Sequence, residues 1–217
     1  MDGLRLYKFI PKEYALDFLI QGIVKIGTLL GYRDVELGEG RYDPLEGIKK
    51  ETGTLSGRAA KGTELASVID QKGLLQVDWD TLALEMNETT FNTTVESPDL
   101  YVYCLSRSSR KEVMRGFEGE HVCFEIIDLQ NFFSRINIEM IKYSSPTGIH
   151  QVKYSDDPEQ WSFEQLETMH PAVVKSEKFS HQDESRAIWL PSHSSKIEAK
   201  TLKLGRLTNC CAATQIM

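Results

Sequence analysis

The chain has 217 residues, with 25 Lys and Arg against 32 Asp and Glu, a formal net charge of −7. Its 41% apolar and 26% charged residues are those of an ordinary globular protein, which excludes wholesale disorder, and the length suits one domain over 1–217. No run approaches the roughly 18 apolar residues of a membrane span, Met1-Asp2-Gly3-Leu4-Arg5 lacks a signal-peptide pattern, and net acidity argues against nonspecific duplex binding, so a cytoplasmic protein without membrane contact is expected.

Residues 4–10 alternate as a strand, with Leu4, Leu6, Lys8 and Ile10 on one face and Arg5, Tyr7 and Phe9 on the other. Pro11 opens a helix bearing Tyr14, Ala15, Phe18 and Leu19, and Gly22 suits its left-handed stop. Residues 23–29 are again extended. From Tyr32 the chain becomes Gly-rich and charged, and about 35–98 is expected as a loop-rich insertion with one helix over 79–86, either a lid over a site or a surface excursion. Residues 101–106 and 121–127 read as strands, and Asp128 caps a helix over 129–134. Residues 138–143 and 149–154 flank the turn-rich segment 144–148 as a hairpin. A helix over 161–169 and strands over 184–190 and 197–204 follow. Few crossover helices separate these strands, so the fold class is α+β around a mostly antiparallel sheet.

The four cysteines, Cys104, Cys123, Cys210 and Cys211, form no C-x-x-C pair or zinc spacing, and Cys104 and Cys123 read as buried hydrophobes. Three polar clusters stand out. In the first, Gln182, Glu184 and Arg186 share a face at extended spacing and can organise a charged ligand, or form a solvated edge. In the second, Tyr32 and Tyr42 lie across a loop with Arg33, Asp34, Arg41, Asp43 and Glu46. The tyrosines can stack on a heterocycle beside an arginine that neutralises phosphate, or simply anchor the loop. The third is the run from Ser106 through Arg107, Ser108 and Arg110 to Lys111, which can hold a diphosphate or lie exposed. No dinucleotide fingerprint, P-loop, H-E-x-x-H or G-x-S-x-G motif occurs.

The order of these features, Leu6-Tyr7-Lys8-Phe9, Tyr32-Arg33-Asp34, Cys104-Leu105-Ser106 and Glu184-Ser185-Arg186, resembles a large bacterial family of uncharacterised domains. It also resembles the ADP-ribosyltransferase fold, a split antiparallel sheet with a basic or aromatic residue on the first strand, a Ser or Tyr motif and a late catalytic glutamate. That resemblance implies a mono-ADP-ribosyltransferase consuming NAD, a bacterial or phage-defence toxin whose acceptor is protein, nucleic acid or water and whose partner is an antitoxin or another protein. It further implies Glu184 as catalytic glutamate, Gln182 completing Q-x-E, Ser106 and Ser108 as the serine motif, and Arg5, Tyr7 or Lys8 at the first-strand position. Tyr32 and Tyr42 alternatively match the paired tyrosines of another subgroup. Tyr7 or Tyr32 would stack on nicotinamide, and Arg5, Arg33 or Arg107 would neutralise the diphosphate, with Arg186 beside them. The first strand carries no histidine, and the serine motif reads Ser106-Arg107-Ser108. A non-enzymatic binding protein on a related scaffold is the main alternative. A magnesium-dependent nuclease or other hydrolase using Asp34, Asp43, Glu46, Asp183 and Glu184 is a further one.

Overall fold

A computed structural model describes residues 4–33, 42–193 and 196–216; Asp34 and Arg41, singled out above, lie outside them. The strands are β1 (Tyr7–Pro11), β2 (Ile23–Thr28), β3 (Ile48–Ala59), β4 (Leu84–Glu96), β5 (Tyr101–Ser106), β6 (His121–Ile126) and β7 (Ser144–Gln151). After them come β8 (Lys153–Tyr154), β9 (Glu159–Gln160), β10 (Val174–Lys175), β11 (Glu184–Pro191), β12 (Lys200–Lys203) and β13 (Cys211–Thr214). Two α-helices, α1 (Glu64–Lys72) and α2 (Leu129–Met140), complete the frame. The fold is α+β with mostly antiparallel sheets.

The main sheet has eight strands and is centred on β5. One edge of β5 pairs with β11 along its whole length, from Glu184↔Ser106 to Trp189↔Tyr101. The opposite edge is shared. Here β2 pairs at Tyr101 and Val102, and β1 pairs at Ser106. The two then diverge, β2 toward β12 and β1 toward β6, leaving a split beside Tyr103, Cys104 and Leu105. The Lys8 ammonium fills it, donating to the Cys104 carbonyl at 2.7 Å.

Strand alternation gives this sheet two unlike faces. Tyr101, Tyr103 and Leu105, with Ala187 and Trp189, pack on Phe132, Ile136 and Met140, one buried stripe of α2 at i, i+4, i+8. Val102 and Ile188 face the other way, onto Leu29, Leu100, Ala172 and Val173. Cys104, Ser106, Glu184 and Arg186 share that second face by register. A separate three-stranded sheet, β4-β3-β9, buries Leu55, Ala59 and Met86 against Leu65, Val68 and Ile69 of α1 and against Trp161.

Several expectations are overturned. The loop expected within 35–98 is largely the β3–β4 pair and α1. The alternation of β3 is hidden because its inward positions are Lys49, Glu51 and Gly53 before Leu55. Gly53 belongs there because a Cβ would lie 2.3 Å from the Trp161 ring. The helix expected over 79–86 lies instead over α1, where the Thr63 hydroxyl caps Ala66 N–H and Gly73 stops it at φ 62°. The hairpin expected around 144–148 is absent: α2 runs on to Met140, and the supposed turn is itself β7, paired with β11. Pro146 is tolerated because β7 pairs with no second strand among the described residues, and the register slips beside it between Ile188 and Trp189. Residues 161–169 form no helix. No described helix is long and apolar enough to cross a membrane.

Candidate functional site

Tyr7, Ser106 and Glu184 are direct cross-strand neighbours, one row across β1, β5 and β11. The Ser106 hydroxyl donates to the Gln182 carbonyl at 2.8 Å and accepts from Ser108 N–H at 3.0 Å. Arg107 N–H donates to the Asp183 carbonyl. These bonds tie the loop after β5 to the turn before β11, in which Asp183 adopts a left-handed conformation at φ 41°. Gln182 therefore belongs to a 3-10 turn rather than to the strand. It reaches the same cluster as Glu184 and Arg186 through that turn.

Arg186, only 1% exposed, is the hub. Its Nε donates to Glu184 Oε1 at 2.8 Å and its Nη2 to Glu184 Oε2 at 3.3 Å. The same guanidinium donates from Nη1 to Glu46 Oε1 at 2.6 Å and from Nη2 to Glu46 Oε2 at 3.1 Å. Nη1 also donates to the Ala172 carbonyl at 2.6 Å, so all five guanidinium hydrogens are used. Glu46 arrives through the turn at Asp43-Pro44, where the Asp43 carboxylate accepts Leu45 N–H. Lys175 comes from β10 and donates to Gln182 Oε1 at 3.0 Å and Glu184 Oε2 at 3.2 Å, with Glu46 Oε2 at 3.7 Å.

The electrostatics follow from this pairing. Burial opposes the charged form of Glu184, but Arg186 and Lys175 outweigh it and hold its carboxyl well below the usual range. Burial likewise opposes the charge on Lys175, and Glu184 and Glu46 reverse that and raise it. Burial pushes the Cys104 thiol up to about 12 and the Tyr32 phenol well above its ordinary value. Their contact, Cys104 Sγ to Tyr32 Oη at 3.4 Å, is between neutral groups. The Tyr154 hydroxyl accepts Glu184 N–H at 2.8 Å.

Of the predicted residues, Tyr7, Tyr32, Ser106, Gln182, Glu184 and Arg186 are gathered on or beside this face. Lys8 is directed to the Tyr103 ring, 4.3 Å from its centroid. Arg5 has a 73% exposed side chain 3.8 Å from Glu125. Arg33 donates to the Glu46 carbonyl and the Glu96 carboxylate, so it braces the turn that carries Glu46. Tyr42 is half-buried just before that turn. Arg107 is exposed, and Ser108 and Arg110 line a cavity of about 370 Å³ between the loop after β5 and the turn holding Ser180, His181 and Asp183.

The sequence did not single out Lys175, a lone lysine after two valines. Its signal was indirect. A buried Glu-x-Arg strand with a second carboxylate on the same arginine needs another cation. Among the described residues, no three or more His, Cys, Asp or Glu side chains converge as a metal site. No family model, curated protein or solved structure matches this chain.

Proposed function

We propose that the chain is an NAD-consuming, ADP-ribosyltransferase-like protein whose catalytic glutamate is Glu184. The observation that carries this reading is the row Tyr7–Ser106–Glu184 on three adjacent strands beside the split of the main sheet. The cavity next to it carries the Ser108 hydroxyl and the Arg110 guanidinium as donors that would meet a diphosphate, with the Glu112 and Asp183 carboxylates also on its wall. The chemistry is a displacement at the ribose carbon. The nicotinamide–ribose bond breaks, its electron pair leaves with neutral nicotinamide, and positive charge develops on the ribose. A carboxylate held ionised at Glu184 stabilises that charge, and an acceptor nucleophile or water then closes the new bond. In a bacterial or phage-associated setting such consumption of NAD suits a toxin or defence effector restrained by a partner.

The test is nicotinamide release from NAD by the wild-type chain and by Glu184→Gln. Release by the wild type is expected, with a loss of roughly 100-fold or more in the variant at unchanged NAD affinity. Melting curves on both proteins separate lost chemistry from lost fold. Absence of both release and calorimetric binding by the wild type refutes the reading. A second reading, NAD binding without turnover, is favoured by the engagement of both Glu184 oxygens with Arg186 and Lys175. Binding without release is its signature.

A further inference from the structure

The two members of the Q-x-E pair, Gln182 and Glu184, point at one atom. Lys175 Nζ lies 3.0 Å from Gln182 Oε1, 3.2 Å from Glu184 Oε2 and 3.7 Å from Glu46 Oε2. The Phe179 ring closes a further side, its centroid 4.6 Å from the same nitrogen. Two carboxylates, an amide carbonyl and an aromatic face around a single point are the elements of a cage for an organic cation. The charges agree. Without Lys175 the cage sets two carboxylates against one guanidinium, a net charge of −1, while the adjacent Cys104 and Tyr32 stay neutral because burial raises both. Its natural occupant is a monocation.

We infer that Glu46, Gln182, Glu184 and Phe179 form a binding seat for an organic monocation of the alkylammonium class, and that Lys175 is the tethered occupant that closes it. The tether is slender. Lys175 sits on the two-residue strand β10, paired with β8, between 3-10 turns at Pro171–Val173 and Glu177–Gln182. Ser155 N–H holds its carbonyl at 2.9 Å. Withdrawal of this strap would expose the Glu184 carboxylate with its seat vacant, so the ammonium acts as a plug. The link to NAD rests on the function proposed above, whereas the seat rests only on the geometry.

Replacing Lys175 by Ala deletes three methylenes and the ammonium, a shape that n-propylammonium restores. The experiment measures melting of Lys175→Ala in propylammonium chloride and in sodium chloride at matched ionic strength, beside the wild type. A rise of roughly 2–4 °C specific to propylammonium and confined to the variant is expected. The double variant Lys175→Ala/Glu184→Gln removes both charges, leaves the cage neutral and should show no such rise. Should Lys175→Ala not fold unaided, its refolded yield in the two salts replaces the melt, with the same expectation. Equal behaviour in the two salts, or equal rescue of the double variant, overturns the seat. On the NAD arm, nicotinamide release by Lys175→Ala severalfold above wild type, suppressed again by propylammonium, supports the plug. Propylammonium rescue with neither nicotinamide release nor calorimetric NAD binding by either protein overturns the plug and the NAD reading and leaves the seat standing. Absent rescue with release intact overturns the seat alone.

Discussion

Among the described residues two buried ionic networks stand out, and they differ in what lies around them. On the main sheet, Glu46, Lys175, Glu184 and Arg186 have side chains that are each at most 6% exposed. On the three-stranded sheet, Lys49 bridges Glu51 at 2.9 Å and Glu159 at 2.7 Å, and Lys72 reaches Glu51 at 3.0 Å. Thr168 also donates to Glu51. Here Lys72 is 14% and Glu159 20% exposed, so water can replace a lost partner. The first network has no such recourse. A sealed network with balanced charge is costly to break anywhere, whereas one open at its rim is costly only at its centre. The segment from Thr168 to Lys175 joins the two, bonded to Glu51 at one end and to Glu46 and Glu184 at the other.

The contrast is broken most severely at Arg186. Arg186→Met leaves Glu46 and Glu184 facing each other and the Ala172 carbonyl without its donor, and should cost about 3–5 kcal/mol or abolish folding. Urea unfolding of the variant measures it. A cost below about 1 kcal/mol would mean that water already enters the sealed network.

Acid should separate the networks next. A carboxyl whose folded pKa lies below its unfolded value contributes stability above the unfolded value and loses it as pH falls through the folded one. At Glu51 burial raises the pKa, but Thr168, Lys49 and Lys72 outweigh it and the net shift is downward. Glu184 is lowered much further. As pH falls below the ordinary carboxylate range, the three-stranded sheet should loosen first and β11 last. Hydrogen exchange of β3 and β11 amides against pH reads this order, and simultaneous loss would show that the two sheets unfold as one unit. Gly53→Ala tests the second network's support without touching a charge. Its methyl would meet the Trp161 ring at 2.3 Å, and an overpacking cost of about 1–3 kcal/mol is expected in thermal melts.

These networks also explain what could be read in the sequence. β1, β2, β5 and β6 are legible because their buried positions are mostly branched or aromatic, as in Tyr101–Ser106, whereas β11 buries Glu184, Ser185 and Arg186 and is marked by the apolar run 187–190 that follows them. β3 is not legible, because it turns Lys49 and Glu51 inward. The end of α2 is not legible because Ile138 and Ile141 are apolar yet 66% and 72% exposed, so they imitate a buried strand. Glu184, Gln182 and Arg186 were legible as a dense polar motif within an apolar run. Their partners were not, since Glu46 is 140 residues from Arg186 and Lys175 has no local pattern. Long-range charge pairing leaves no periodicity to read.

The smallest expected effect sharpens the comparison at the rim. Lys72 is one of three donors to Glu51, and its ammonium also lies 5.4 Å from the Trp161 ring centroid. Lys72→Met keeps the aliphatic stem over that ring and removes the charge, while Lys49 and Thr168 remain on Glu51. The cost should be about 0.5–1 kcal/mol, close to that of a surface pair, because water reaches the vacated position. Because Lys72 is partly solvated, the difference in Tm between wild type and Lys72→Met should shrink as sodium chloride rises from low to molar concentration. The corresponding difference for Lys175→Met, whose partners are sealed from solvent, should stay nearly constant over the same range. Equal salt dependence at the two lysines would mean that the networks share one solvent boundary, and the distinction between a sealed site and an open brace would fall.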